Sequence, residues 1–211
     1  MITALLDNYI YPYNLDIKYR MEDIESDMLY DLVPAEYEKS VALSILIKHL
    51  WIDAYSETVD IHFIRENIPK LIHLIGSPAY KSNGSIVLGT AEGGLKVTLY
   101  NVNGLDLNNL SIEVLNYWYF HTMHHEFGHI LHQKKRYSTE YKEISDGLYV
   151  ADRCFDNENT LALAYSLGFV TRYARTNPDE DFVEVFSTYI TSTEAEWDAI
   201  IAECGTSGAP I

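Results

Sequence analysis

An α+β fold is predicted by two features of the chain and by the absence of a third. Long segments with apolar residues three and four apart flank a central stretch of short β-branched runs, and turn residues separate those runs. No internal repeat or linker interrupts the 211 residues, a length that fits one domain with or without a small lobe.

Taken in order, residues 2–11 (ITALLDNYIY) read as a short helix ending at Pro12. Residues 14–21 (NLDIKYRM) alternate apolar and polar, the period of a half-buried strand. The segment 34–59 opens on Pro34, carries helical periodicity and is long enough for a major helix, and 59–68 form a shorter one. KLIHLIGS (70–77), SIVLGTA (85–91) and LKVTLYNVN (95–103) read as strands, with turns at PAYKSNG and EGG between them. The last of these is a candidate edge strand on which an extended peptide could add. Residues 111–135 are helical again, with Ser111 as N-cap and Glu113 in the first turn. Weaker helical patterns fill 136–176. Asn177, Pro178 and three acids then open a helix over 177–192, and EAEWDAIIAEC (194–204) forms the last before a loose tail. The reading is one domain, 1–211, with an α/β lobe over 1–133 and a mainly helical lobe over 134–211.

The net charge of −16 argues against a nucleic-acid partner and against docking on anionic lipid, since both need clustered Lys and Arg. No run reaches the ~18 apolar residues of a membrane span. Cys154 and Cys204 do not make a disulfide framework, so two unpaired thiols are expected.

The chemistry concentrates in HHEFGHILHQ, residues 124–133. On a helix, His125 and His129 lie one above the other, close enough to aim two ring nitrogens at one Zn²⁺. Glu126 sits about 100° round the helix, placed to reach water without occupying the metal. This is HExxH, in which two neutral imidazoles hold the ion and a carboxylate takes a proton from water. His121 and His132 share the face and read as buried histidines or as hydrogen-bonding support for a ligand; His124 is a supporting or incidental residue. Gly128, costly mid-helix, points to close approach of another backbone.

Two histidines need a third ligand. The extended HExxHxxGxxH pattern is closed, because His132 and Lys135 occupy its Gly and His positions. NPDEDFVEVF offers Asp179, Glu180, Asp181 and Glu184 instead. Glu180 and Glu184 are spaced four apart, so one can bind metal while the other holds the outer N–H of a ligand histidine. Asp181 is the second candidate ligand. Asp179 also reads as a solvated acid complementing the helix dipole, which suits Glu184 less because it lies among Phe182, Val183, Val185 and Phe186.

Five blocks in order, PYNLDIKYR, LIGSPAY, LGTAEGGLKVTLYNVN, HHEFGHILHQ and NPDEDFVEVFSTYI, resemble the zinc-binding metallopeptidases found among bacterial import-associated lipoproteins. YARTNPDEDFVEVF is similar, more distantly, to the third-ligand region of the anthrax lethal factor catalytic domain, a gluzincin. The resemblance implies a zincin-like fold, with a small twisted sheet packed on the HExxH helix and a mainly helical C-terminal lobe. It also implies Glu180 as third zinc ligand, Glu184 behind it, and Tyr173 donating its hydroxyl to the oxyanion. The implied activity is peptide hydrolysis with Glu126 as base, on a peptide or protein substrate. The implied setting is an exported cell-surface or periplasmic lipoprotein near outer-membrane nutrient-import machinery, although this chain shows neither a signal peptide nor a cysteine near its start. Two other readings are a zincin-like accessory binding protein with a vestigial metal site, and a hydrolase for another amide or a glycan-linked substrate.

Overall fold

The computed structural model describes residues 5–21, 30–80, 86–87, 89–92 and 95–205. They belong to two units, Met1–Phe127 and Gly128–Ile211. Much of the turn assigned to PAYKSNG, the two glycines of EGG and most of the C-terminal tail fall outside the described residues.

In the first unit, strands β1 (Asp16–Lys18), β2 (Leu71–Leu74), β5 (Gly89–Glu92) and β6 (Lys96–Leu99) make a sheet in the order β1-β2-β6-β5. β1–β2 and β2–β6 are parallel, with Ile17 opposite Ile72 and Ile72 opposite Val97; β5–β6 are antiparallel, with Thr90 opposite Thr98. A parallel pair needs a crossover, and the helices between residues 37 and 67 supply the one joining β1 to β2. β3 (Ala79–Tyr80) and β4 (Ile86–Val87) form a separate antiparallel ribbon.

Three sequence expectations are corrected here. The strand within LKVTLYNVN is not an edge: β6 is flanked by β2 and β5, so it has no open side for a peptide. Its residues Val97, Thr98 and Leu99 are buried in succession, the pattern of a strand covered on both faces rather than a half-exposed one. The first helix does not end at Pro12 but runs to Tyr13 and stops at Asn14, which is left-handed at φ 52°. The preceding turn, Leu6–Ile10, is π-helical, so Pro12 falls at the start of the next α-turn, where its missing N–H is tolerated. The major helix begins at Tyr37 rather than Pro34, with Glu36 extended before it, and Pro34 instead bridges Ile75.

That helical run, residues 37–58, buries Leu43, Ile47, Trp51 and Ile52. Trp51 and Tyr55 meet Phe127 edge-on at 5.3 and 5.0 Å between ring centroids. Phe127, 1% exposed, therefore anchors the apolar face of the HExxH helix, a burial worth ~1.5–3 kcal/mol for a side chain of its class.

In the second unit the helical elements are short, except for Pro178–Thr191 and Glu194–Gly205. Ala164, Phe169 and Ala174 form a small core, with Leu148, Tyr149 and Leu167 against it. Buried Arg175 ties its loops together: it donates to Asn159 Oδ1 and, at 3.0 Å, to the Leu148 carbonyl, and lies over the Phe169 ring. Cys154 and Cys204 are buried and unbridged, as expected.

Candidate metal centre

The helical run 112–134 starts where Ser111 accepts a hydrogen bond from the Val114 N–H at 3.2 Å. It passes through a π-helical turn at Asn116–Phe120 and becomes α-helical over His121–Lys134. His125 and His129 are thus one α-turn apart on a single element, with His125 buried, and Glu126 and His129 half-buried.

The helix Pro178–Thr191 is set by its cap. Asn177 is extended, and its Oδ1 accepts from the backbone N–H groups of Asp179 and Glu180 at 2.9 and 3.0 Å. Pro178 follows at N1, and Asp179, Glu180 and Asp181 complement the positive end of the dipole. The cap holds Glu180 by its own backbone, so its loss affects this candidate ligand as well as the helix. Asn177→Ala is expected to lower stability by about 1 kcal/mol in chemical denaturation and to weaken zinc binding measured by titration.

On this frame His129 Nε2 lies 3.3 Å from Glu180 Oε2. Two groups of three metal-competent side chains, each with its donor atoms within 4.8 Å of one another, occur among the described residues: His125–His129–Glu180 and His121–His125–Glu184. Two imidazole nitrogens and one carboxylate oxygen suit Zn²⁺, and three protein ligands leave a fourth position for water or substrate, the pattern of catalytic rather than structural zinc. The donor set fits the ion.

Residues 3–210 match a protein family described as "Putative zinc-binding metallo-peptidase". The chain belongs to this zinc-binding metallopeptidase family. It is also similar to a protein of that description from Bacteroides caccae ATCC 43185, solved by crystallography, at 48% identity and a TM-score of 0.80. That match covers 98% of this chain and 77% of the other. No curated protein matches. The cofactor is zinc, as the family's description states and the donor set allows. The lethal factor likeness and the lipoprotein setting rest on the sequence blocks alone. No helix among the described residues is long and apolar enough to cross a membrane.

The other acids of the helix Pro178–Thr191 have partners of their own. Asp181, the second candidate ligand, is buried, accepts from the Tyr149 hydroxyl at 3.0 Å and belongs to neither metal-competent group. Burial pushes its carboxyl up to about 7, and the charge of Glu184 adds to the rise while the Tyr149 and Tyr141 hydroxyls oppose it. Asp179 is not simply solvated: it accepts from the Tyr137 hydroxyl. Glu184 is buried, and its Oε2 accepts from Thr171 Oγ1 at 2.6 Å.

The remaining histidines separate by their partners. His132 stacks on Tyr137 at 4.3 Å and 8° between planes, and it is in neither metal-competent group, whereas His121 joins the one with Glu184. His124 pairs through Nδ1 with the Tyr55 hydroxyl at 2.9 Å. Burial, with His121 adding, pushes the His124 imidazole down to about 3. The folded chain keeps this ring neutral while the unfolded chain protonates it below about 6.5. Stability is therefore expected to fall as pH drops from 6.5 to 5, by on the order of 1–2 kcal/mol from this ring. Denaturation of metal-free wild type and His124→Phe at both pH values checks it, with a flatter response in the variant.

Gly128 does admit a close neighbour, but side chains rather than backbone: a Cβ there would lie 3.0 Å from Val183 Cγ1 and 3.2 Å from Phe186 Cδ1. Tyr173 starts a short 3₁₀ turn and stacks on Phe155, 5.8 Å away and 15° from parallel. Arg175 and Asn159, which hold the loops behind that turn, escaped the sequence reading. An arginine among weakly periodic residues was the one available signal.

Proposed function

We propose that this metallopeptidase is a zincin-like enzyme of the gluzincin kind, holding Zn²⁺ through His125, His129 and Glu180 and hydrolysing peptide bonds. The observation that carries the reading is the approach of Glu180 to His129, one helical turn from His125, with the three donor atoms within 4.8 Å of one another. The ion, when bound, supplies Lewis acidity toward the scissile carbonyl and makes water a better acid.

The chain's own groups do the rest. Glu126, one residue beyond His125, takes the proton of the attacking water and passes it to the leaving amine. Tyr173 donates its hydroxyl to the developing oxyanion, and its stacking on Phe155 fixes the ring plane. Glu184 holds the outer N–H of a ligand imidazole, which its grouping with His121 and His125 supports. A peptide or protein is the substrate class that the family's name implies.

Metal analysis of the purified protein, together with cleavage of a mixed peptide library, tests the reading. One zinc per chain and cleavage abolished by chelation are expected. Stoichiometric zinc with no cleavage above background would turn the reading toward a binding protein.

A further inference from the structure

The first turn of the helix Pro178–Thr191 presents three carboxylates in succession, Asp179, Glu180 and Asp181. Only Glu180 faces a histidine of the HExxH helix. The two flanking acids are taken up by tyrosines from the segment that follows that helix: Tyr137 donates to Asp179 Oδ1, and Tyr149 donates to Asp181 Oδ2 at 3.0 Å, with the Tyr141 hydroxyl also turned to Asp181.

The tyrosines are themselves held. His132, one turn beyond His129, stacks on Tyr137, and the Tyr137 ring lies 4.7 Å from Tyr141 and 5.2 Å from Phe182. Tyr149 packs edge-on to Phe169 at 5.5 Å, against the small core of this unit. Phe182 closes the cluster from the acidic helix itself, 5.6 Å from His132 and 5.7 Å from Tyr141. A chain of contacts thus runs from the HExxH helix through His132 and Tyr137 to the residue before Glu180, and a second hydroxyl holds the residue after it.

Successive helical residues point about 100° apart, so fixing the side chains on both sides of Glu180 fixes the rotation of the turn that carries it. Three adjacent carboxylates left unheld would repel one another and offer three ways to meet a cation. Resting on the reading of Glu180 as a ligand, we propose that Tyr137 and Tyr149 are positioning residues for the metal site. Their hydroxyls hold Asp179 and Asp181 aside and set the Glu180 carboxylate toward His129. The chemistry is that of hydrogen-bonding partners behind a ligand, whose loss typically lowers metal affinity 10–100-fold.

The test measures zinc affinity by competition with a chelating dye, alongside the melting temperature of the metal-free protein and the visible spectrum with Co²⁺ as probe. Tyr137→Phe/Tyr149→Phe is expected to lose at least tenfold in zinc affinity and to shift the Co²⁺ bands. Phe182→Leu, which loosens the same aromatic cluster but leaves both hydroxyls, is expected to lower the melting temperature with less than a threefold change in affinity. Asp179→Asn and Asp181→Asn keep an oxygen acceptor for each tyrosine and are expected to bind zinc within threefold of wild type, whereas the Ala variants lose tenfold. These single changes carry the test if the double tyrosine variant does not fold.

Affinity that follows melting temperature across the whole set, or wild-type affinity in the double tyrosine variant, overturns the inference. Glu180→Ala separates the two failures. If it loses zinc while the tyrosine variants keep it, only the positioning role falls; if it binds zinc like wild type, the ligand assignment falls and the inference with it.

Discussion

Glu126→Gln is expected to bind one zinc per chain with wild-type affinity and to lose roughly 10²–10⁴-fold in peptide hydrolysis, the usual contribution of a positioned general base. Glu126 follows His125 on an unbroken α-helix, so its side chain leaves the helix about 100° from the ligand face and belongs to neither metal-competent group. Glutamine keeps its length and hydrogen-bonding shape but cannot accept the proton of water. Metal content and kcat/KM measured on one preparation decide the matter. A variant that loses zinc and activity together would make Glu126 a ligand, and one that keeps activity would remove it from the reaction.

Glu180→Ala is expected to reduce zinc affinity at least 100-fold and to abolish the rise in melting temperature that zinc gives the wild type. An ion that binds only the folded chain stabilises it by RT ln(1 + [L]/Kd), so a large loss of affinity appears directly as a lost thermal shift. With the proposed ligand set, removing Glu180 leaves two imidazoles, too few for the three protein ligands of a catalytic zinc site. Asp181→Asn is the informative contrast: Asp181 accepts from Tyr149 and is in neither metal-competent group, so its neutral isostere should keep the zinc. Retained affinity in Glu180→Ala with loss in Asp181→Asn would exchange the two assignments.

The parts of the site that were legible in the sequence are those set by short-range geometry. The i, i+4 spacing of His125 and His129 places them on one helix face whatever the rest of the chain does. Asn177-Pro178 followed by acids predicts the start of the acidic helix, and the cap forms as expected, with both N–H groups on Asn177 Oδ1. The α+β class was legible for the same reason, because each run shows its own period.

What failed depended on neighbours distant in sequence, the local π-helical turn before Pro12 apart. LKVTLYNVN read as an edge because its own period says nothing about how many strands lie beside it, and β2 and β5, which flank it, come from outside the run. Pro12 failed to end its helix because the preceding turn is π-helical. Arg175 went unnoticed because its partners, Asn159 and the Leu148 carbonyl, come from loops without periodicity.

Among the four acids of NPDEDFVEVF, the residues alone left the order open. Their helix spacing makes Glu180 and Glu184 a pair, but any carboxylate in that turn has the chemistry of a ligand. The tertiary structure distinguishes them through partners drawn from elsewhere: Tyr137 for Asp179, His129 for Glu180, Tyr149 for Asp181, and Thr171 beside the His121–His125 pair for Glu184. By itself the sequence determined the chemistry on offer, two histidines one turn apart with a glutamate between them and a supply of carboxylates downstream, because residue type and helical spacing are local properties. Only the tertiary structure decided that Glu180 and Glu184 come within reach of the histidines while Asp179 and Asp181 are taken up by tyrosines, because that depends on which side chains pack against each one.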